Sequence, residues 1–92
     1  MALGSAVKPR ITIAINDGTL EILLNEEGRD LLVQELTSLS KKRDHFHLMP
    51  EELVYEVPLQ VKPYRKADQV IEYGKVLFRP DDWDAQYFPH VL

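Results

Sequence analysis

The sequence contains no cysteine and only four glycines in a chain of 92 residues. Without cysteine there can be no disulfide, no thiolate nucleophile and no cysteine-ligated zinc. The glycines are dispersed, so no glycine-rich phosphate-binding loop is present. No apolar run is long enough to cross a bilayer, and Met1 to Lys8 lack the extended apolar core of a secretory signal. We therefore expect a cytoplasmic protein without a membrane partner.

Acidic side chains outnumber basic ones, 15 to 11, which gives a net charge of −4. Phosphates repel carboxylates, so we expect no nucleic-acid partner. A basic protein surface would be attracted, although mild acidity can also serve solubility alone. The length predicts a single domain over residues 1–92, with one small core and a flexible start at residues 1–8.

The first half of the chain has a clear periodicity. Two runs of alternating apolar residues, Arg10–Ile15 and Thr19–Leu24, flank the turn sequence Asp17–Gly18 and predict a β-hairpin. Asn25 is a suitable N-cap for a helix predicted over Glu26–Lys42, in which leucines recur at helical spacing. This helix is expected to pack on the sheet.

Alternation resumes in the second half. It predicts strands over Asp44–Met49, Tyr55–Lys62 and Val70–Arg79. Pro58 cannot donate a ladder hydrogen bond, so we expect its strand to lie at an edge or to be locally irregular. The apolar parity changes at Gly74, which predicts a bulge. The expected fold is α+β, a single amphipathic helix on a mostly antiparallel sheet of about five strands, in the order ββαβββ.

His45 and His47 form the one pair with the spacing of a metal site, because residues two apart on a strand share a face. One interpretation is a small metal-binding enzyme or sensor. The other is that both histidines lie on a polar strand face and contact a partner, which we favour, so we predict neither a metal nor another cofactor. The residues that could supply a third metal ligand, by type alone, are His90, Asp81, Asp82 and Asp84.

Nothing in the sequence resembles a nucleophilic or acid–base catalytic site. Ser38 and Ser40 lack the glycine-rich turn that exposes a nucleophilic serine. Glu51 and Glu52 lie in an apparent turn, where both would be solvated, whereas a pair of catalytic carboxyls needs two different environments. We therefore predict no catalytic residues and no enzymatic activity.

The C-terminal segment combines aromatic and acidic residues. Trp83 lies among Asp81, Asp82 and Asp84, and aromatic residues are enriched in the centres of protein interfaces. Alternatively, Trp83 closes the core, since aromatic residues dominate small cores. We predict partner binding by these four residues first, and by His45 and His47 second.

The helix with Gly28 and its leucines, followed by Asp44–His45–Phe46–His47–Leu48, resembles small immunity proteins of bacterial polymorphic toxin systems, in particular the immunity protein 32 family. The resemblance covers roughly residues 20 to 62. It implies a cytoplasmic inhibitor without enzymatic activity that binds a cognate toxin. No catalytic residue carries over from it.

These observations predict an immunity-type protein that neutralises a cognate toxin by occlusion. One alternative is the metal-binding enzyme or sensor that would use the two histidines. The other is a homodimeric structural domain, in which the strand containing Pro58 pairs across a two-fold axis if its edge is uncovered.

Overall fold

The structure, a computed structural model, describes residues 7–92, so the predicted flexibility of residues 1–6 lies outside the described residues. It confirms the α+β class. No helix within residues 7–92 combines the length and the apolar character needed to cross a membrane. In chain order the elements are β1 (Ile11–Asn16), β2 (Thr19–Leu24), α1 (Glu26–Thr37), β3 (His45–Pro50), β4 (Val57–Leu59), β5 (Gln69–Val70), β6 (Gly74–Leu77) and α2 (Asp81–Tyr87).

The predicted hairpin is confirmed. β1 and β2 pair antiparallel, and Asn16 lies opposite Thr19 at the turn. Asp17 and Gly18 both have positive φ angles, of 51° and 75°. A two-residue turn of this kind matches the right-handed twist of the strands that it joins.

The prediction of a single sheet is wrong, because the strands form two three-stranded sheets, β2-β1-β5 and β4-β3-β6. The strand pairing is mostly antiparallel, as predicted. β3 and β4 are parallel, whereas β3 and β6 are antiparallel. The sheets meet along β1, where the backbone N–H of Gln60 donates to the Ile11 carbonyl at 2.8 Å. Thus Pro58 lies in a terminal strand, as predicted, but the backbone beside it is bonded to β1.

The predicted strand over Val70–Arg79 with a bulge at Gly74 is also wrong. The segment forms β5, which pairs with β1, and β6, which pairs with β3. The apolar parity changes because the chain passes from one sheet to the other between Val70 and Gly74, and each sheet imposes its own buried face.

α1 begins as predicted. The Asn25 side chain accepts a hydrogen bond from the Gly28 amide at 2.7 Å. The helix ends at Thr37, five residues before the predicted Lys42. In the last turn, the hydroxyls of Thr37 and Ser38 donate hydrogen bonds to helix carbonyls. Such side-chain bonds offer the backbone an alternative to continuing the helix.

A second helix, α2, overturns the prediction of a single helix. Pro80 precedes it, and its first turn carries Asp81, Asp82 and Asp84. Carboxylates suit the positive end of a helix, and proline fits a helix start. With seven residues, α2 is too short for its periodicity to be visible in the sequence.

The core lies between α1 and the two sheets. Its buried cluster consists of Ile11, Ile13, Phe46, Leu48, Val57 and Leu59, and Leu31, Leu32 and Leu39 pack against it from α1 and the segment after it. Within residues 7–92 only seven hydrophobic residues are buried, whereas seventeen large ones are exposed. The fold therefore leaves much apolar surface in contact with water.

Candidate partner-binding surface

β3 turns its two histidines away from the core. Phe46 and Leu48 are buried, and the alternation of the strand places His45 and His47 on the opposite face. The centroids of the two imidazole rings are 5.1 Å apart, with one ring edge-on to the other. The prediction that the two histidines share a face is therefore confirmed.

Each histidine ring is held by a carboxylate. His45 Nδ1 lies 2.8 Å from Asp44 Oδ1, and His47 Nδ1 lies 3.2 Å from Glu56 Oε1. The hydrogen bond with His45 lowers the pKa of Asp44. Backbone N–H groups, those of Glu56 and His47, lower the pKa of Glu56. Both carboxyls are thus ionised at neutral pH, and they fix the rings through Nδ1.

The structure does not assemble a metal site around these histidines. Among residues 7–92, no three His, Asp or Glu side chains are grouped so that they could hold a metal ion. His90 instead lies beside the Phe88 ring, with centroids 6.2 Å apart. The aspartates proposed as third ligands belong to α2.

The connection from β3 to β4 brings a tyrosine against the histidines. The Tyr55 ring lies 5.0 Å from the His47 ring, and Tyr55 is 47% exposed. To run parallel to β3 after only six intervening residues, the chain must reverse direction tightly. It does so at Val54, whose φ of 55° is rare for a β-branched residue.

The acidic tail is less available than the sequence suggests. Asp82 binds Lys41 at 2.5 Å, and this hydrogen bond lowers the pKa of Asp82. Asp84 binds Arg79 at 2.6 Å. Trp83 is half-buried, and Asp81 alone of the three aspartates has no ion pair within residues 7–92. The four predicted residues are together in α2, but two of their charges are neutralised internally.

Large apolar side chains are exposed at this end of the chain beside the carboxylates. Tyr87 is 65% exposed and Phe88 is 47% exposed. Val91 and Leu92 are 59% and 65% exposed. The sequence analysis singled out neither aliphatic residue, because the segment shows no periodicity from which exposure could be read.

β6 joins the histidine pair to the tail. Leu77, which is 62% exposed, lies opposite His45 in the antiparallel ladder. Two residues on, the Arg79 guanidinium lies 4.9 Å from the Phe88 ring centroid. We call the surface formed by His45, His47, Tyr55, Leu77 and Phe88 the β6 surface. The four predicted tail residues are not part of it, because they belong to α2, which ends immediately before Phe88.

Leu77 was missed by the sequence analysis. The signal was present, because strand alternation that buries Val76 must turn Leu77 outward.

Comparisons of the chain with family models, with curated proteins and with solved structures give no match. The resemblance to the immunity protein 32 family therefore stays a prediction.

Proposed function

We propose that the chain is an immunity-type protein that acts in the cytoplasm, binds a cognate toxin and neutralises it by covering the toxin's surface, without catalysing a reaction. The β6 surface is the proposed contact. The observation that carries the proposal is the exposure of large apolar side chains there, notably Leu77 at 62%.

The chemistry of the β6 surface suits a protein partner. Exposed apolar groups that are ringed by polar side chains mark interaction sites, and tyrosine supplies contact area at small entropic cost. Here Tyr55 and Leu77 lie beside two histidines whose rings are already oriented by carboxylates. A surface ordered before binding loses less conformational entropy when the complex forms.

Strain beside the surface supports the same proposal. Val54 holds a left-handed backbone conformation immediately before Tyr55, and its side chain is 86% exposed. Backbone outliers that cost of order 1–3 kcal/mol cluster at functional sites. The reversal at Val54 is what sets Tyr55 against His47.

Charge favours a basic toxin surface. The chain carries a net charge of −4, and complementary fields speed encounter. Since Asp82 and Asp84 are paired with basic residues of the same chain, they contribute less to this attraction than the sequence suggested. Asp44 and Glu56, which bind the two histidine rings, supply acidic groups at the proposed contact.

Coexpression with the product of the adjacent gene, followed by pull-down and calorimetry, tests the proposal. Leu77→Lys should weaken the complex at least about 30-fold, the effect of losing an interface hot spot. Val61→Lys is the matched control, because Val61 is 38% exposed in the connection between β4 and β5, outside the β6 surface.

Two results would contradict the proposal. One is that no adjacent gene product forms a complex with the wild-type chain. The other is that Leu77→Lys binds as tightly as Val61→Lys while both variants melt at the wild-type temperature.

A further inference from the structure

A second apolar surface lies on β2, in the sheet that does not contain β6. β2 is the terminal strand of the sheet β2-β1-β5. Leu20, Ile22 and Leu24 project from one of its faces and are 57%, 49% and 39% exposed. We call this strand with its three aliphatic side chains the β2 edge.

Within residues 7–92, no strand pairs with the outer side of the β2 edge. The carbonyls of Ile11 and Ile13 accept hydrogen bonds from Gln60 and Ile71, so they point away from β2. In an antiparallel pair, the N–H and C=O groups of two opposite residues either both point toward the partner strand or both point away from it. Leu24 and Ile22, which face Ile11 and Ile13, therefore turn their N–H and C=O groups outward.

The helix enlarges the apolar surface. Glu35 binds Arg43, whose guanidinium lies over Phe46 of β3. Successive helical residues are 100° apart, so Val33 lies nearly opposite Glu35 around α1 and Leu36 lies about 60° from Val33. α1 contacts β2. Val33 and Leu36 are 54% and 46% exposed.

We propose that the β2 edge pairs antiparallel with the β2 edge of a second copy, across a two-fold axis at Ile22. In this register Ile22 faces Ile22 of the second copy, and Leu20 faces Leu24. Glu21, the one charged residue of β2, faces Leu23, so no like charges meet. The strand also lacks the proline, lysine and bulge that normally protect an edge from pairing.

The area is adequate for a dimer. Five half-exposed aliphatic side chains bury on the order of 100 Å² each, about 500 Å² per copy before the main chain is counted. With the strand backbones and their flanking side chains, the total reaches the ~1,200 Å² at which specific interfaces begin. Pairing of the two strands also adds main-chain hydrogen bonds between N–H and C=O groups that are otherwise bonded to water.

Sedimentation velocity over a range of protein concentrations tests the pairing. The wild-type chain should dimerise. Ile22→Lys and Ile22→Glu should each weaken dimerisation at least about a hundredfold, because each places like charges opposite one another at the axis. An equimolar mixture of the two variants should recover the dimer, since the axis then joins lysine to glutamate.

Leu77→Lys is the control, because Leu77 is exposed to a similar extent on the β6 surface. It should dimerise as the wild type does. A wild-type chain that is monomeric throughout, a dimer that Ile22→Lys leaves intact, or a mixture that fails to recover it would each overturn the proposal. Circular dichroism checks that both Ile22 variants are folded.

The dimer and the proposed toxin contact use different surfaces, so the two proposals can fail separately. Ile22→Lys should abolish the dimer and leave binding of the proposed toxin unchanged. Leu77→Lys should do the reverse.

Discussion

Replacing Gly28 by alanine should destabilise the protein, although the same change stabilises most helices. Gly28 is buried in the first turn of α1. A Cβ atom there would lie 2.5 Å from the Arg10 carbonyl oxygen, 2.9 Å from Ile11 Cγ1 and 3.0 Å from Asn25 Oδ1. The nearest of these is backbone, which cannot rotate away, so either β1 or the start of the helix must shift.

The magnitude follows from three opposing contributions. Alanine gains ~1 kcal/mol over glycine in helix propensity. Overpacking of a tight contact costs ~1–3 kcal/mol. Displacing the Asn25 side chain from its capping position costs about 1 kcal/mol more. We therefore expect Gly28→Ala to lower the free energy of unfolding by ~1–3 kcal/mol.

Urea unfolding followed by circular dichroism measures this change. Gln34→Ala is the matched control, since Gln34 is exposed on the same helix, and it should change the free energy of unfolding by less than ~0.5 kcal/mol. A Gly28→Ala protein that is as stable as the wild type, or more so, would refute the close packing of α1 on β1.

Three further outcomes are expected. Asn25→Ala removes the acceptor of two backbone N–H groups and should lower the free energy of unfolding in urea by ~1–2 kcal/mol, while Asn25→Asp keeps the acceptor and should lose less. Val54→Gly relieves a left-handed conformation and should raise the melting temperature; no rise would argue against strain at this position. A hydrogen bond from Asn16 is the main cause that lowers the pKa of Asp68, so this carboxylate stabilises the fold above its unfolded pKa, and the stabilisation is lost as the pH falls through the lower folded value. The advantage of the wild type over Asp68→Asn should accordingly shrink below about pH 4 in urea titrations, and a constant difference would contradict this linkage.

Local signals predicted the first half of the fold well. The turn Asp17–Gly18 and the cap Asn25 act through the backbone of their immediate neighbours, so their effect is visible in sequence alone. The shared face of His45 and His47 follows from strand alternation in the same way.

Long-range pairing defeated the prediction of the second half. A parity change at Gly74 has the same appearance whether a strand bulges or leaves one sheet for another. α1 ends at Thr37, and Arg43, which lies beyond the helix, binds Glu35, a contact that the sequence alone does not reveal.

The partner-binding surface was partly predictable. Residue type pointed to the histidines and the acidic tail. The sequence did not show that Lys41 would bind Asp82 or that Arg79 would bind Asp84, because each pair forms only in the folded chain. Leu77 could have been found from alternation alone. Its position opposite His45 depends on the pairing of β3 with β6.

The bonding of β1 has a consequence for how the chain folds during synthesis. Its partner β2 follows at once, but the donors to its other edge come from Gln60 and Ile71. At translation rates of roughly 5–20 residues per second, that edge waits ~3–10 s for its partner. A nascent hairpin is therefore open on both sides, and chains synthesised close together on one message could pair through β1 before the later strands arrive. Fast folding of the hairpin and slow completion of the sheet should separate into distinct kinetic phases, because distant pairings form slowly.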